Sequence, residues 1–265
     1  MKISLITVTF NSSETLRDTI QSVLLQSYPD VEYIIVDGHS QDKTIEIIKK
    51  YEPLFQGRLK WISEKDSGLY DAMNKGIRMA TGDIVGIINS DDFYVNNTVI
   101  ARIISGFDNS FVDAIYTNLY LVDPMNLNKI VRDCQYCDYN SELFFRGWHP
   151  PHPSFFVRKK IYDECGCFDL NYKISADYDF MFRILVVYGK KALYMPFYTI
   201  KMRNGGASTN SIKAVIRTQK ECLRVFEKYG LHVNYVSYFV GKYIQKLKQY
   251  TLTSFFNDLK SKINI

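Results

Sequence analysis

The chain has 265 residues, 46% of them hydrophobic, which supplies ample core for one large domain or for a domain with an appendage. No run of roughly eighteen apolar residues occurs, and the N-terminal MKISLITVTFNSSE turns polar too soon for a signal peptide. A cytoplasmic chain is therefore expected, with its five cysteines reduced. The net charge of +5 is small and uneven, with ten Lys or Arg against three Asp or Glu from Lys213 onward. That distribution excludes a continuous basic groove for nucleic acid and leaves a basic tail on a near-neutral domain.

Ile3 to Thr9 (ISLITVT) reads as a fully buried strand, broken by Phe10, Asn11 and Ser12. A helix starting near Ser13 then carries Leu16, Ile20, Val23 and Leu24 on one face. Glu32 to Val36 is a second strand, ending in Asp37-Gly38-His39-Ser40, and Asp42-Lys43-Thr44 opens a second helix. Leu59 to Ile62 is a third strand, and a polar segment from Ser63 to Gly68 leads into a helix from Leu69 to about Met79. The stretch GDIVGIINSDDFY follows, from Gly82 to Tyr94, and its β-branched run suits a strand buried on both faces. Strands and helices alternating at this spacing predict a doubly wound parallel sheet.

That fourth strand ends in Asn89, Ser90, Asp91 and Asp92. Adjacent carboxylates there are costly to hold without a cation, although turns also favour these residue types. Thr9, Asn11, Asp37, Glu64, Asp66 and Asp91 collect at one sheet edge, the edge where open α/β sheets bind ligands. Neither G-x-G-x-x-G nor a P-loop follows the first strand, so the phosphates of a nucleotide need another counter-charge. A divalent cation held by Asp91 is the obvious candidate. The C-x-x-C at Cys134 and Cys137 and the C-x-C at Cys165 and Cys167 are a weak zinc pattern, since the second pair has non-standard spacing and neither sits in a knuckle-like context with flanking Gly.

TVTFNSSETL, IIVDGHSQDKT, SEKDSGLYDAMNKGI and ATGDIVGIINSDD follow one another in order, and the match extends over roughly residues 1 to 210. Together they resemble the signatures of the family-2 glycosyltransferases with the GT-A fold. The resemblance implies a Rossmann-like, mostly parallel sheet flanked by helices over 1–212, divided into a nucleotide-binding half (1–95) and an acceptor and catalytic half (96–212). A basic amphipathic helical tail occupies 213–265. It also implies inverting transfer, of a hexose most readily, from a nucleotide-diphosphate donor, with a UDP-sugar favoured and Mn2+ or Mg2+ as cofactor. The acceptor would be a glycan or a polyprenyl-linked saccharide, as in bacterial O-antigen or capsule assembly.

By the same resemblance Thr9, Asn11 and Glu14 line the nucleoside pocket, Asp37 hydrogen-bonds the base, and Asp66 holds the nucleoside or ribose. The family's D-x-D metal motif falls on Asn89-Ser90-Asp91. Asn89 replaces the first Asp, leaving Asp91 to carry the cation with Asn89 near the ribose. Asp71 and Asn74 are grouped with the donor contacts, against the alternative that they and Lys75 form a solvated helix face. For Asp37 and Asp42 the plain alternative is helix capping.

Farther on, Ala114 to Val122 alternates enough for a strand, and a polar stretch follows it to Leu143. Pro150, Pro151 and Pro153 forbid a helix, so His149 and His152 sit on a stiff loop before a strand from Ser154 to Val157. His152 is expected to touch donor phosphate or acceptor. A helix beginning at Ala176 carries Asp177 and Asp179 in its first turn, where the helix dipole favours acids. This segment resembles the family's acidic motif: Asp177 falls on the catalytic base, and Ala176 replaces the usual Glu. After a strand from Ala192 to Tyr198, the loop from Arg203 to Ser208 is expected to close over the diphosphate, with Arg203 pairing its charge.

The tail reads as helical, with Val236, Phe239, Val240, Tyr243, Ile244 and Leu247 on one face. Such a helix suits an anionic membrane surface, the catalytic domain or a second subunit alike. Peripheral placement on the inner face of the cytoplasmic membrane, or a homodimer, follows from two of these. Asn89 and Ala176 also fit a nucleotide-sugar or glycan-binding module that has lost catalysis, whereas retention of Asp91 and Asp177 argues for an enzyme.

Overall fold

The computed structural model describes residues 1–205 and 212–249. Four parallel strands, β1 (Ile3–Thr9), β2 (Val31–Asp37), β3 (Leu59–Ser63) and β4 (Ile84–Ile87), form the first half of one sheet. β1 and β2 are buried along their whole length, because β-branched side chains alternate between two covered faces. Leu5 and Tyr33 pack under α1 (Leu16–Leu24) and α2 (Thr44–Tyr51), while Ile6 and Ile34 face α3 (Leu69–Met79).

The second half is mixed. β5 (Phe93–Tyr94) and α4 (Val99–Gly106) lead to β6 (Ala114–Asp123) and β7 (Asn126–Cys134). α5 (Glu142–Phe145), β8 (Phe155–Arg158) and α6 (Lys159–Cys165) follow, then α7 (Ala176–Phe182), β9 (Ala192–Arg203), α8 (Ile212–Lys228) and α9 (Tyr235–Lys248). The strand order is β3-β2-β1-β4-β8-β6-β9-β5, with β7 beside β6. β8 runs antiparallel to both β4 and β6, so the parallel winding expected from the alternating elements stops after four strands.

Two further differences from the sequence reading have local causes. β7 lies in the stretch read as polar connection. It is a largely exposed partner of β6 and carries no apolar alternation to announce it. β9 continues five residues past Tyr198, to Arg203. Its register against β6 shifts between Met195 and Tyr198, a bulge that accommodates Pro196 without breaking the strand. Arg203 is thus a buried strand residue rather than part of a loop. Residues 206–208 of the expected closing loop, and 250–265 of the tail, lie outside the described residues.

The described part of the tail packs on the rest of the chain. Cys222, Val225, Phe226 and Tyr238 are buried in the core formed with α3 and α7.

Candidate active site at the C-terminal sheet edge

The loops after β1, β2 and β4 are tied to one another by short hydrogen bonds. The Asn11 N–H donates to Ser40 Oγ at 2.8 Å, and the Gln41 N–H donates to Asn11 Oδ1 at 2.8 Å. The Ser12 and Ser90 hydroxyls meet at 3.0 Å. Asn11 and His39 both adopt left-handed backbone, with φ of 49° and 68°. Such conformations cost energy for non-glycine residues and persist where surrounding structure fixes them.

Asp37 is fully buried and organises the β2 loop. It accepts from the Ser40 N–H at 2.9 Å, the Ser63 hydroxyl at 2.7 Å and the Ser40 hydroxyl. Beyond it lies a cavity of about 600 Å³ lined by Phe10, Gly38, His39, Gln41, Lys65 and Asp66, within the usual range for small-molecule sites. Gly38 keeps this space open, since a Cβ there would lie 2.7 Å from Asp66 Oδ2. Phe10, 61% exposed, offers an aromatic face at the rim. Thr9 is 5% exposed, and its buried hydroxyl has no hydrogen-bond partner among the described residues; Thr9 is not among the lining residues. Glu14 stands exposed ahead of α1 and is not among the lining residues.

The β4 turn holds two carboxylates in unlike settings. Asp92 is 1% exposed and accepts from Asn89 Nδ2 at 2.9 Å and the Arg203 N–H at 3.3 Å. Burial, together with the neighbouring Asp91 charge, raises its pKa well above the carboxylate range. Asp91 is half-exposed, and burial raises its pKa as well, against the pull of its own backbone and of Arg203. The Arg203 guanidinium is spent elsewhere: it donates to the Asp91 carbonyl and pairs with Asp18, above the Phe93 ring. The chain thus supplies a cation of its own to this turn, at a residue expected to meet diphosphate.

Whether the turn fits a divalent ion follows from these settings. The Asp91 carboxylate takes no hydrogen bond from another described residue and is left in a desolvating place, so an added cation would relieve it. Among the described residues no three His, Cys, Asp or Glu side chains converge on one point. Asp91 fits as a single anchor whose remaining positions fall to water and ligand oxygens, as hard cations accept.

The second acidic feature is tied to the same edge through α3. Gly68 precedes the helix, and Tyr70 in its first turn brings its hydroxyl within reach of the Ile174 carbonyl and, at 2.8 Å, of Asp177 Oδ1. Asp177 is half-exposed, and its Oδ2 takes no hydrogen bond from any described residue. His149 and His152 are close enough for the Asp177 charge to raise both, yet burial dominates and holds both imidazoles below their ordinary pKa. Lys242, on α9, lowers His149 further. His152 opens a 3-10 turn and meets Phe168 edge-on at 5.7 Å.

Asp179, two residues on, points into the core. It is 0% exposed and accepts from Lys228 at 2.7 Å and Tyr229 at 3.2 Å. Glu221 of α8 accepts the N–H groups of Lys173, Ile174 and Ser175, at 3.3, 2.9 and 3.0 Å, and so fixes the approach to α7.

Tyr70 and Glu221 are positioning groups that the sequence reading did not single out. Their partners lie 107 and about 47 residues away, and no local pattern marks them. Asn74, grouped from sequence with the donor contacts, holds the chain at Phe168 in the same way. Its amide donates to the Phe168 carbonyl at 2.9 Å and accepts from the Phe168 N–H at 3.0 Å, a buried tie rather than a free donor contact. Asp71 accepts from the Ser67 N–H at 2.9 Å and lies 3.8 Å from Lys75, which reaches Glu64 at 2.9 Å.

Residues 4–168 match the family model described as Glycosyl transferase family 2. An uncharacterized glycosyltransferase of Mycobacterium tuberculosis is 30% identical over 187 residues, which is 70% of this chain and 69% of that protein. The fold is similar to that of the mannosyltransferase PcManGT from Pyrobaculum calidifontis, solved with GDP-Man and Mn2+. The TM-score is 0.65 at 18% identity, covering 86% of this chain and 64% of that one. It is also similar to S. aureus TarS 1-349 in complex with UDP-GlcNAc, at TM-score 0.61 and 17% identity, covering 77% of this chain and 59% of that one. The chain spans less than two thirds of the length of these solved structures.

Proposed function

The chain belongs to glycosyl transferase family 2, and on that premise we propose that it moves a hexose, with inversion, from a nucleotide-diphosphate sugar to a saccharide acceptor in a metal-dependent reaction. The observation that carries the catalytic reading is Asp177: half-exposed, braced on one oxygen by Tyr70, and open on the other. An acceptor hydroxyl at Oδ2 gives its proton to Asp177 as its oxygen bonds to the anomeric carbon. The bond from that carbon to the diphosphate oxygen breaks on the opposite face, so the configuration inverts. Tyr70 holds the carboxylate in place by donating to Oδ1.

The cavity lined by Gly38 and Asp66 takes the nucleoside, with Phe10 against the base. A UDP-sugar is the favoured donor, because a UDP-sugar is bound by one of the similar folds; GDP-mannose in another keeps the base open to test. Asp91 would hold a divalent ion, which supplies charge neutralisation for the departing diphosphate. The acceptor is a glycan or a polyprenyl-linked saccharide, in keeping with the surface-polysaccharide role that the sequence motifs imply.

A donor screen by titration calorimetry, with and without Mn2+, on wild type and Asp91→Ala tests the reading. Binding of one nucleotide sugar that requires the ion and is lost in Asp91→Ala is the expected result. If no nucleotide sugar binds under either condition, the reading is overturned.

A further inference from the structure

The segment from Asp169 to Asp179, which carries Asp177, lies beyond the residues that the family model matches, and α8 grips it. Glu221 and Lys228 are seven residues apart on α8, about two turns of helix, and so share one face. Lys228 reaches Asp169 Oδ2 at 2.9 Å and Asp179 Oδ1 at 2.7 Å, the two ends of the segment. Glu221, 6% exposed, holds its middle: Oε1 accepts the Lys173 N–H, and Oε2 accepts those of Ile174 and Ser175. The helix that supplies these groups is itself seated, with Cys222, Val225 and Phe226 buried in the core.

Local chemistry does not provide this hold. Ser175 is the N-cap of α7, yet its side chain makes no capping bond. The carboxylate that takes the N–H groups ahead of the helix comes from 46 residues away. Ile174 is thereby pinned on both sides of its Cα, since its N–H goes to Glu221 and its carbonyl receives the Tyr70 hydroxyl. The same hydroxyl lies 2.8 Å from Asp177 Oδ1. One O–H stands between the two acceptors, so a shift of Ile174 moves the phenol and, with it, the brace on the carboxylate. Burial and the Asp177 charge, with a smaller part from Glu221, raise the Tyr70 pKa well above its ordinary value, so the phenol keeps its proton.

We propose that α8 is part of the transfer site and Glu221 a positioning residue: by fixing residues 173–175 it aims the open oxygen of Asp177, so that its loss slows turnover and leaves donor binding intact. The role of Asp177 as base rests on the transferase reading; the hold on the backbone of 173–175 does not. A displacement of about 1 Å near the reacting groups costs on the order of a hundredfold in rate, so one missing anchor is felt. The lining of the donor cavity comes from the loops after β1, β2 and β3 and shares no residue with this set.

The test compares E221A, E221Q and K228M in the full chain. E221A should raise amide exchange at Ile174 and Ser175 by about tenfold or more and lower kcat per folded molecule by about thirtyfold, with nucleotide-sugar affinity within about twofold of wild type. E221Q keeps one acceptor oxygen for the Ile174 and Ser175 N–H groups and should lose only about threefold in kcat. K228M is the control on the same helix face: its melting temperature should fall, while kcat per folded molecule stays within about twofold of wild type. Wild-type kcat in E221A overturns the proposal, as does equal slowing of E221A and K228M, which would make α8 a prop alone. If E221A does not fold, E221Q decides, and wild-type turnover in it overturns the proposal. No transfer by wild type from any nucleotide sugar overturns the transferase reading instead, whereas unchanged exchange at Ile174 and Ser175 in E221A overturns the hold itself.

Discussion

Asp91–Asp92, after β4, and Asp177–Asp179, in the first turn of α7, are two acidic pairs, and each is divided in the same way. In each pair one carboxylate is sealed in the core, Asp92 at 1% and Asp179 at 0% exposure, and faces protein groups, with Asp179 Oδ2 taking no hydrogen bond among the described residues and lying 3.8 Å from the Arg183 guanidinium. The other, Asp91 or Asp177, stands half-exposed with bonding capacity left over. The sealed members differ in what compensates them. Asp179 meets the Lys228 ammonium directly, whereas Asp92 has neutral donors and the Arg203 charge without an ion pair, and burial together with the adjacent Asp91 charge raises its pKa. Acids close in sequence therefore do not share a setting. The side of the element each one faces decides whether it is sealed or open.

The comparison can be broken by exchanging each carboxylate for its amide. The largest effect short of abolishing transfer is expected at Asp91→Asn. Donor affinity in Mn2+ should fall on the order of a hundredfold while the thermal midpoint stays within a few degrees, as read by calorimetry and melting. Asp179→Asn should do the reverse. It should destabilise the fold by about 2 kcal/mol, a figure reduced from that of a fully buried pair because Lys228 reaches solvent. Turnover per folded molecule should remain near wild type, as separated by denaturant titration and active-site counting.

Tyr70→Phe sharpens the picture of how an open carboxylate is braced. Removing the hydroxyl that braces Oδ1 should lower kcat/KM by about fivefold, through kcat, with donor affinity within about twofold of wild type. A drop matched by an equal loss of stability would make Tyr70 a packing residue only. The smallest effect is on stability against pH. His149 and His152 bind protons more weakly when folded than their ordinary value of 6.5. Above that value both states are neutral; as pH falls through it the unfolded chain takes up protons first, so stability declines. Melting between about pH 5 and 8 should show this slope, and H149Q/H152Q should flatten it.

The parallel half was readable from sequence because its signals are local. Ile3–Thr9 and Leu69–Met79 have the bounds that the apolar runs and the flanking Gly68 indicate. The mixed half was not, for physical reasons that differ by element. β7 is polar and exposed, β9 passes through Pro196 on a bulge, and β8 owes its antiparallel direction to partners far away in sequence. Among candidate site residues, the places of Asp37 and Asp91 at strand ends were legible, because the turn chemistry is visible in the residues themselves. That of Arg203 was not, because its strand runs farther than the apolar pattern. Its charge is directed at Asp18 and the β4 turn, and only the folded sheet brings these together.

Asp177→Asn, titrated with donor and then assayed for transfer on the same preparation, tests the central division most directly. The account predicts donor affinity within about twofold of wild type and transfer slowed by about a thousandfold. Transfer near the wild-type rate would contradict it, and Asp177 would then be no base.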